Sequence, residues 1–172
     1  MGRSLILNIS GMSVIGLALL TASATAEAKG IKKQQLVGTW SLVSTENMKA
    51  DGSKVDAFGP NPNGIMIFDR SGHYSLTIVR SDLPKFAAGT SDHGTAQENQ
   101  AVLAGMIASF GTYSLSEADG TLTTHVEGSS FPNLSGGEQK RIISSLTGNE
   151  LKYSNPATAT GAKAEVVWKR VK

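Results

Sequence analysis

The chain has 172 residues and no cysteine, so a disulfide framework and thiolate chemistry are excluded. Its 16 Lys and Arg stand against 14 Asp and Glu, and the resulting formal charge of +2 is scattered rather than clustered. That argues against a nucleic-acid partner, and the length is that of one domain able to bury a core without staples.

Met1-Gly2-Arg3 supplies a short basic start, and Leu5 to Leu20 is largely apolar. Small-x-small sites follow at Ala22-Ser23-Ala24, Ala24-Thr25-Ala26 and Ala26-Glu27-Ala28. This pattern predicts a secretory signal peptide over residues 1–28, cleaved to leave a single domain over 29–172. The apolar run is interrupted and short for a membrane span of roughly 20 residues, so no stable membrane insertion is expected after cleavage. No Cys follows it to carry a lipid anchor. Export of a cysteine-free chain fits a bacterial periplasmic or secreted protein.

Ile31 to Gln35 reads as a short lead-in turn, and Thr39 to Thr45 as a strand. Lys49 to Lys54 reads as a turn, and Phe58-Gly59-Pro60-Asn61-Pro62-Asn63-Gly64 as a loop stiffened by its prolines. Ile65–Asp69 and His73–Arg80 flank Arg70-Ser71-Gly72, a hairpin pattern. Thr95-Ala96-Gln97-Glu98 has the form of a capping box. The residues that follow, Asn99 to Ser109, place Val102, Leu103, Met106 and Ile107 on one face of a helix, which is expected across one mouth of the fold or on its flank. Phe110–Leu115 and Thr121–Gly128 flank Asp119-Gly120, and Gln139–Leu146 and Glu150–Ser154 flank Thr147-Gly148-Asn149. Ala164 to Val171 is the last strand. Strands joined mainly by tight hairpins predict a mainly all-β fold, an eight-stranded antiparallel up-and-down barrel with one short helical insertion.

The ends of the domain carry a resemblance. Gly38-Thr39-Trp40 opens the first strand and Val166-Val167-Trp168-Lys169-Arg170 closes the last. Phe110-Gly111-Thr112-Tyr113, His125 to Asn133 and Gly137 to Arg141 lie between them, together with the Phe58 to Gly64 loop. In order and spacing these segments resemble the bacterial lipocalin-like domain family, whose barrels are of the calycin type. The resemblance runs from about Leu36 to Arg170, with Leu134 standing where an aromatic is expected after Phe131-Pro132-Asn133. It implies a barrel with an interior cavity, closed at one end by Trp40 with Arg170 stacked across it.

Period-two alternation puts Thr123, His125 and Glu127 on one face of their strand, and Gln139, Arg141 and Ile143 on one face of the next. A connection symmetric about Leu134 sets Glu127 opposite Arg141. This predicts an inward polar cluster of His125, Glu127, Gln139 and Arg141 that holds the polar end of a ligand. A buried network of purely structural role is a second reading, and pointing outward instead, Glu127 and Arg141 would make a surface pair worth less than about 1 kcal/mol. Tyr113, Phe131, Asn133 and Tyr74 complete the candidate site, with Phe110 and Met66 as further candidates for lining or core.

No Ser or Cys stands where a triad would need it, so no catalytic residue is assigned. His73, His93 and His125 lack metal-ligand spacing, so neither metal nor cofactor is expected. Leu134-Ser135-Gly136-Gly137-Glu138-Gln139 looks like the signature loop of transporter ATPases, but the phosphate-binding loop such domains need is absent, and the glycines read as a turn. Three functions remain. The first is a cell-envelope carrier or sensor for a small, largely apolar or amphipathic molecule with a polar head. The second is a barrel enzyme of isomerase or cyclase type, an analogy from fold. The third is a structural or partner-binding envelope protein.

Overall fold

A computed structural model describes residues 30–172 of the chain. The expected signal peptide lies outside the described residues. The elements in chain order are α1 (Lys33–Leu36), β1 (Gly38–Met48), β2 (Lys54–Asp56), β3 (Asn63–Phe68), β4 (His73–Val79) and α2 (Ala96–Gly105). They continue with β5 (Met106–Ser116), β6 (Thr121–Ser129), β7 (Glu138–Leu146), β8 (Glu150–Asn155) and β9 (Lys163–Arg170), with a 3-10 turn at Pro132–Leu134 between β6 and β7.

All pairings are antiparallel, and β9 pairs with both β8 and β1, so the sheet closes on itself. The ring has the eight expected strands; β2 is additional. It pairs with Glu46 to Met48, on the length of β1 that β3 leaves uncovered beyond Ser41. Sequence reading places a turn through Lys49 to Lys54, and the turn is there, but Lys54 opens a strand. Lys54 Nζ lies 3.1 Å from Glu46 and 2.6 Å from Glu165, which ties this extra strand to β1 and β9.

The helical insertion differs from expectation. Its capping box forms as read, with the Thr95 hydroxyl accepting from the Glu98 N–H and the Glu98 carboxylate accepting from the Thr95 N–H. The helix then stops at Gly105, and the stretch expected to continue it, Met106 to Ser109, is strand. The reason is sheet pairing. Val79 to Leu76 of β4 need partners, and Met106 to Ser109 supply them, while the Gly105 carbonyl accepts from the Arg80 N–H. Leu103, expected on the apolar face, is 60% exposed.

Bulges set which side chains enter the barrel. On β1, Leu42 is opposite Trp168 but Ser44 is opposite Val167, so Val43 is an extra residue and points out. Before this bulge even positions face inward; after it odd ones do, and Thr45 and Asn47 turn inside. On β6, Gly111 pairs with Val126 and Phe110 with Gly128, which leaves Glu127 as the extra residue. Here a glycine is required, since a Cβ on Gly111 would collide with the His125 carbonyl. The exposed Phe110 ring lies across Gly128 on the outer surface, so Phe110 belongs to neither core nor cavity.

One end of the barrel is solid. Leu36, Trp40, Met66, Phe68, Tyr113, Leu151 and Trp168 fill it, nearly all fully buried. The Phe68 and Tyr113 rings meet edge to face at 4.8 Å. Each polar edge among these aromatics is satisfied. Trp40 Nε1 donates to the Leu36 carbonyl, Trp168 Nε1 to the Tyr153 hydroxyl, and the Tyr113 hydroxyl to the Asp69 carbonyl. Burial raises the Tyr113 pKa.

Candidate functional site

At the solid end, Trp40 and Arg170 are opposite each other on β1 and β9. The Arg170 guanidinium lies 4.1 Å from the Trp40 ring centroid. It also donates to three backbone carbonyls: Nη1 to Val37, Nη2 to Gln35 and Nε to Gly148. These bonds tie the lead-in segment and the β7–β8 turn to the last strand. They also explain the glycine of the opening motif. Gly38 has φ +133, and a Cβ there would stand 2.5 Å from Arg170 Nη1.

Beyond the aromatic plug the interior opens into a cavity of about 140 Å³. Phe58, Ala104, Leu134 and Thr158 to Thr160 line it from loop and helix ends, at the barrel end opposite the plug. Across the ring its walls differ. Leu76 and Ile78 of β4, Ile107 of β5 and Val126 of β6 make one side mainly apolar, with Ser109 of β5 its polar member. The other side, on β7, β8, β9 and β1, carries Arg141, Tyr153, Asn155, Thr45 and Asn47 around the small Ala164 and Val166.

Arg141 is only 5% exposed. Its guanidinium donates through Nη1 to the Thr124 hydroxyl at 2.7 Å and sits 5.8 Å from the Tyr153 ring centroid. Among the described residues no carboxylate forms an ion pair with it. A buried charge without a counter-charge is costly, and this one borders the cavity. Nearby, Asn47 Oδ1 and Asn155 Oδ1 are buried without a hydrogen-bond partner.

The pairing expected for the cluster does not form. Arg141 is opposite Leu122 rather than Glu127, and Gln139 is opposite Thr124. The shift is five residues (122 against 127), an odd number, and an odd shift reverses the face a strand presents. The loop is asymmetric because Gly136 and Gly137 pair back onto Val126, the Gly136 N–H donating to the Val126 carbonyl and the Gly137 carbonyl accepting from the Val126 N–H. Leu122, Thr124 and Val126 therefore face inward, and His125 and Glu127 are exposed. Gln139 and Arg141 do line the cavity, as expected.

The aromatic candidates divide. Tyr113 packs in the plug beside Phe68 and Met66. Tyr74 is core, with its hydroxyl 3.4 Å from Ser109 Oγ. Phe131 is half-buried and Asn133 exposed at the β6–β7 turn, and neither lines the cavity. Leu134 does. Tyr153, Asn155, Asn47 and Thr45 also line the cavity, beyond the residues expected from the strand pattern. Alternation through Leu151 and Tyr153 pointed to the first; the bulge at Val43 hid the last two.

The sequence profile of the lipocalin-like domain matches residues 37–171. The chain belongs to the lipocalin-like domain family. Solved structures similar to this lipocalin-like domain include a lipocalin-like protein of Bacteroides uniformis, at 16% identity over 80% of this chain and 99% of that one, with a TM-score of 0.43. A bovine odorant binding protein variant is similar at 15% identity over 80% and 74% of the two chains, TM-score 0.39. A biogenic amine-binding protein is similar at 11% identity over 83% and 68%, TM-score 0.42. No curated protein matches the lipocalin-like domain in sequence. Among the described residues no three His, Cys, Asp or Glu side chains group as metal ligands, and no helix is long and apolar enough to cross a membrane.

Proposed function

We propose that this lipocalin-like domain is an exported carrier or sensor of the cell envelope that holds one small molecule inside its barrel. The ligand has an apolar body and a polar head. The observation that carries this reading is the two-sided cavity, mainly apolar on β4 to β6 apart from Ser109, and polar around the buried Arg141. A volume near 140 Å³ suits a ligand of about one ring, since a dry apolar cavity of roughly 150 Å³ accepts benzene. Export rests on the basic start, apolar run and small-residue sites of residues 1–28.

Native mass spectrometry of protein purified from its own host tests the reading. A small-molecule mass that leaves on collisional activation, on a chain beginning near Thr25, Glu27 or Lys29, supports both parts. A bare chain that stays bare in a single-ring fragment screen contradicts the binding reading. An intact Met1 on soluble cytosolic protein contradicts export.

A further inference from the structure

Strand pairing arranges the polar groups of the cavity into an arc. Asn47 on β1 and Asn155 on β8 both pair with Ala164 of β9. On the other side of β8, Ile142 pairs with Ser154, and one further step in that register brings Arg141 beside Asn155. All four residues line the cavity. The arc therefore runs Arg141, Asn155, Ala164, Asn47, and the small Ala164 leaves room in front of it. Across the ring stand Leu76 and Ile78, which offer no hydrogen bonds.

The groups in this arc are unmet in complementary ways. The Arg141 guanidinium has five N–H donors and places one, on Thr124. It has no counter-charge among the described residues, and the Tyr153 face at 5.8 Å is a weak substitute for one. The amides of Asn47 and Asn155, residues that both line the cavity, have buried acceptor oxygens without partners. A guanidinium in this state calls for an anion of bidentate shape. An orphaned amide oxygen calls for a donor.

We infer that the ligand is a small hydroxy- or amino-substituted carboxylate: its carboxylate pairs with Arg141, its hydroxyl or amino group donates to the Asn155 or Asn47 amide, and its single-ring-sized apolar body lies on Leu76 and Ile78. This rests on the interior-binding reading above and adds the charge and the hydrogen-bonding pattern of the ligand.

Isothermal titration of the mature protein with benzene, benzamide, benzylamine, benzoate and 3-hydroxybenzoate tests it, because these probes share one ring and differ in head group. The expected result is benzoate at least tenfold tighter than benzamide, no binding of benzylamine, and 3-hydroxybenzoate several-fold tighter than benzoate. Arg141→Met should erase the preference for benzoate over benzamide and keep benzene binding. Asn155→Leu should erase the gain from the hydroxyl while leaving the charge preference. If benzene and benzamide bind as well as benzoate, or benzylamine binds best, the carboxylate assignment is overturned while interior binding stands. If benzoate is preferred but the hydroxyl adds nothing, the donor assignment is overturned. If none of the five binds, the binding reading falls together with the inference.

Discussion

Two arginines enter this barrel, and they are treated differently. Arg170 is saturated: three carbonyls and an indole face occupy its guanidinium, and the glycine at position 38 leaves room for it. Arg141 is more deeply buried than Arg170, yet a single hydroxyl bond is its share. A side chain whose role is structural finds its partners within the protein. A buried charge that the protein leaves short of partners lowers its own stability when nothing is bound, and it marks the place where a ligand can supply what is missing.

The largest effect should come from the saturated end. Trp40→Ala should cost about 3–5 kcal/mol in denaturant unfolding, the range for a core aromatic truncated to Ala. An effect under about 1 kcal/mol would mean that the plug does not hold the barrel shut.

The two arginines should then move in opposite directions when each is replaced by Met in ligand-free protein. Arg170→Met should cost roughly 2–3 kcal/mol, because charge-assisted bonds to three carbonyls are lost. Arg141→Met should be neutral or stabilising by about 1 kcal/mol, because it removes an unpaired buried charge and keeps an apolar stem. Equal losses would erase the distinction between the two sites.

Asp69 gives a smaller effect, readable in pH. Hydrogen bonds from the Ser71 hydroxyl and then the His73 backbone N–H hold its carboxyl at about 2, below its ordinary 3.8. The sign follows from linkage. Its contribution is complete above the unfolded value and is lost as pH falls toward about 2. Thermal unfolding of Asp69→Asn should therefore show a shallower acid slope between pH 4 and 2 than the wild type; parallel curves would contradict the hydrogen-bonded turn.

Glu127→Gln and His125→Ala should change stability least, within about 0.5 kcal/mol, since both side chains are exposed. A loss of several kcal/mol in either would return them to the interior and undo the observed register.

Much of the fold was legible because hairpin turns and alternation are local signals. The Gly-x-Trp opening and the closing Arg were legible too, through a family resemblance that the profile match over residues 37–171 bears out. The candidate site was legible by half. Gln139 and Arg141 share a phase set by their own strand, and that phase held. His125 and Glu127 needed the register across a loop, which depends on how Gly136 and Gly137 pair back onto β6. Periodicity carries no information about that. Asn47 was hidden for a related reason: one extra residue at Val43 exchanges the two faces of β1, and nothing in the alternation marks where a bulge falls. Met106 and Ile107 continue the apolar stripe of the helix in sequence, whereas the sheet claims them as partners for β4.

Arg141 as the ligand's anchor and Arg170 as the barrel's lock can both be watched in one spectrum. Nitrogen-15 NMR of the arginine Nε–H groups during a benzoate titration tests this most directly. The Arg141 signal should shift saturably while the Arg170 signal, held on the Gly148 carbonyl, stays in place. An Arg141 signal that does not move at benzoate concentrations saturating the protein would contradict it.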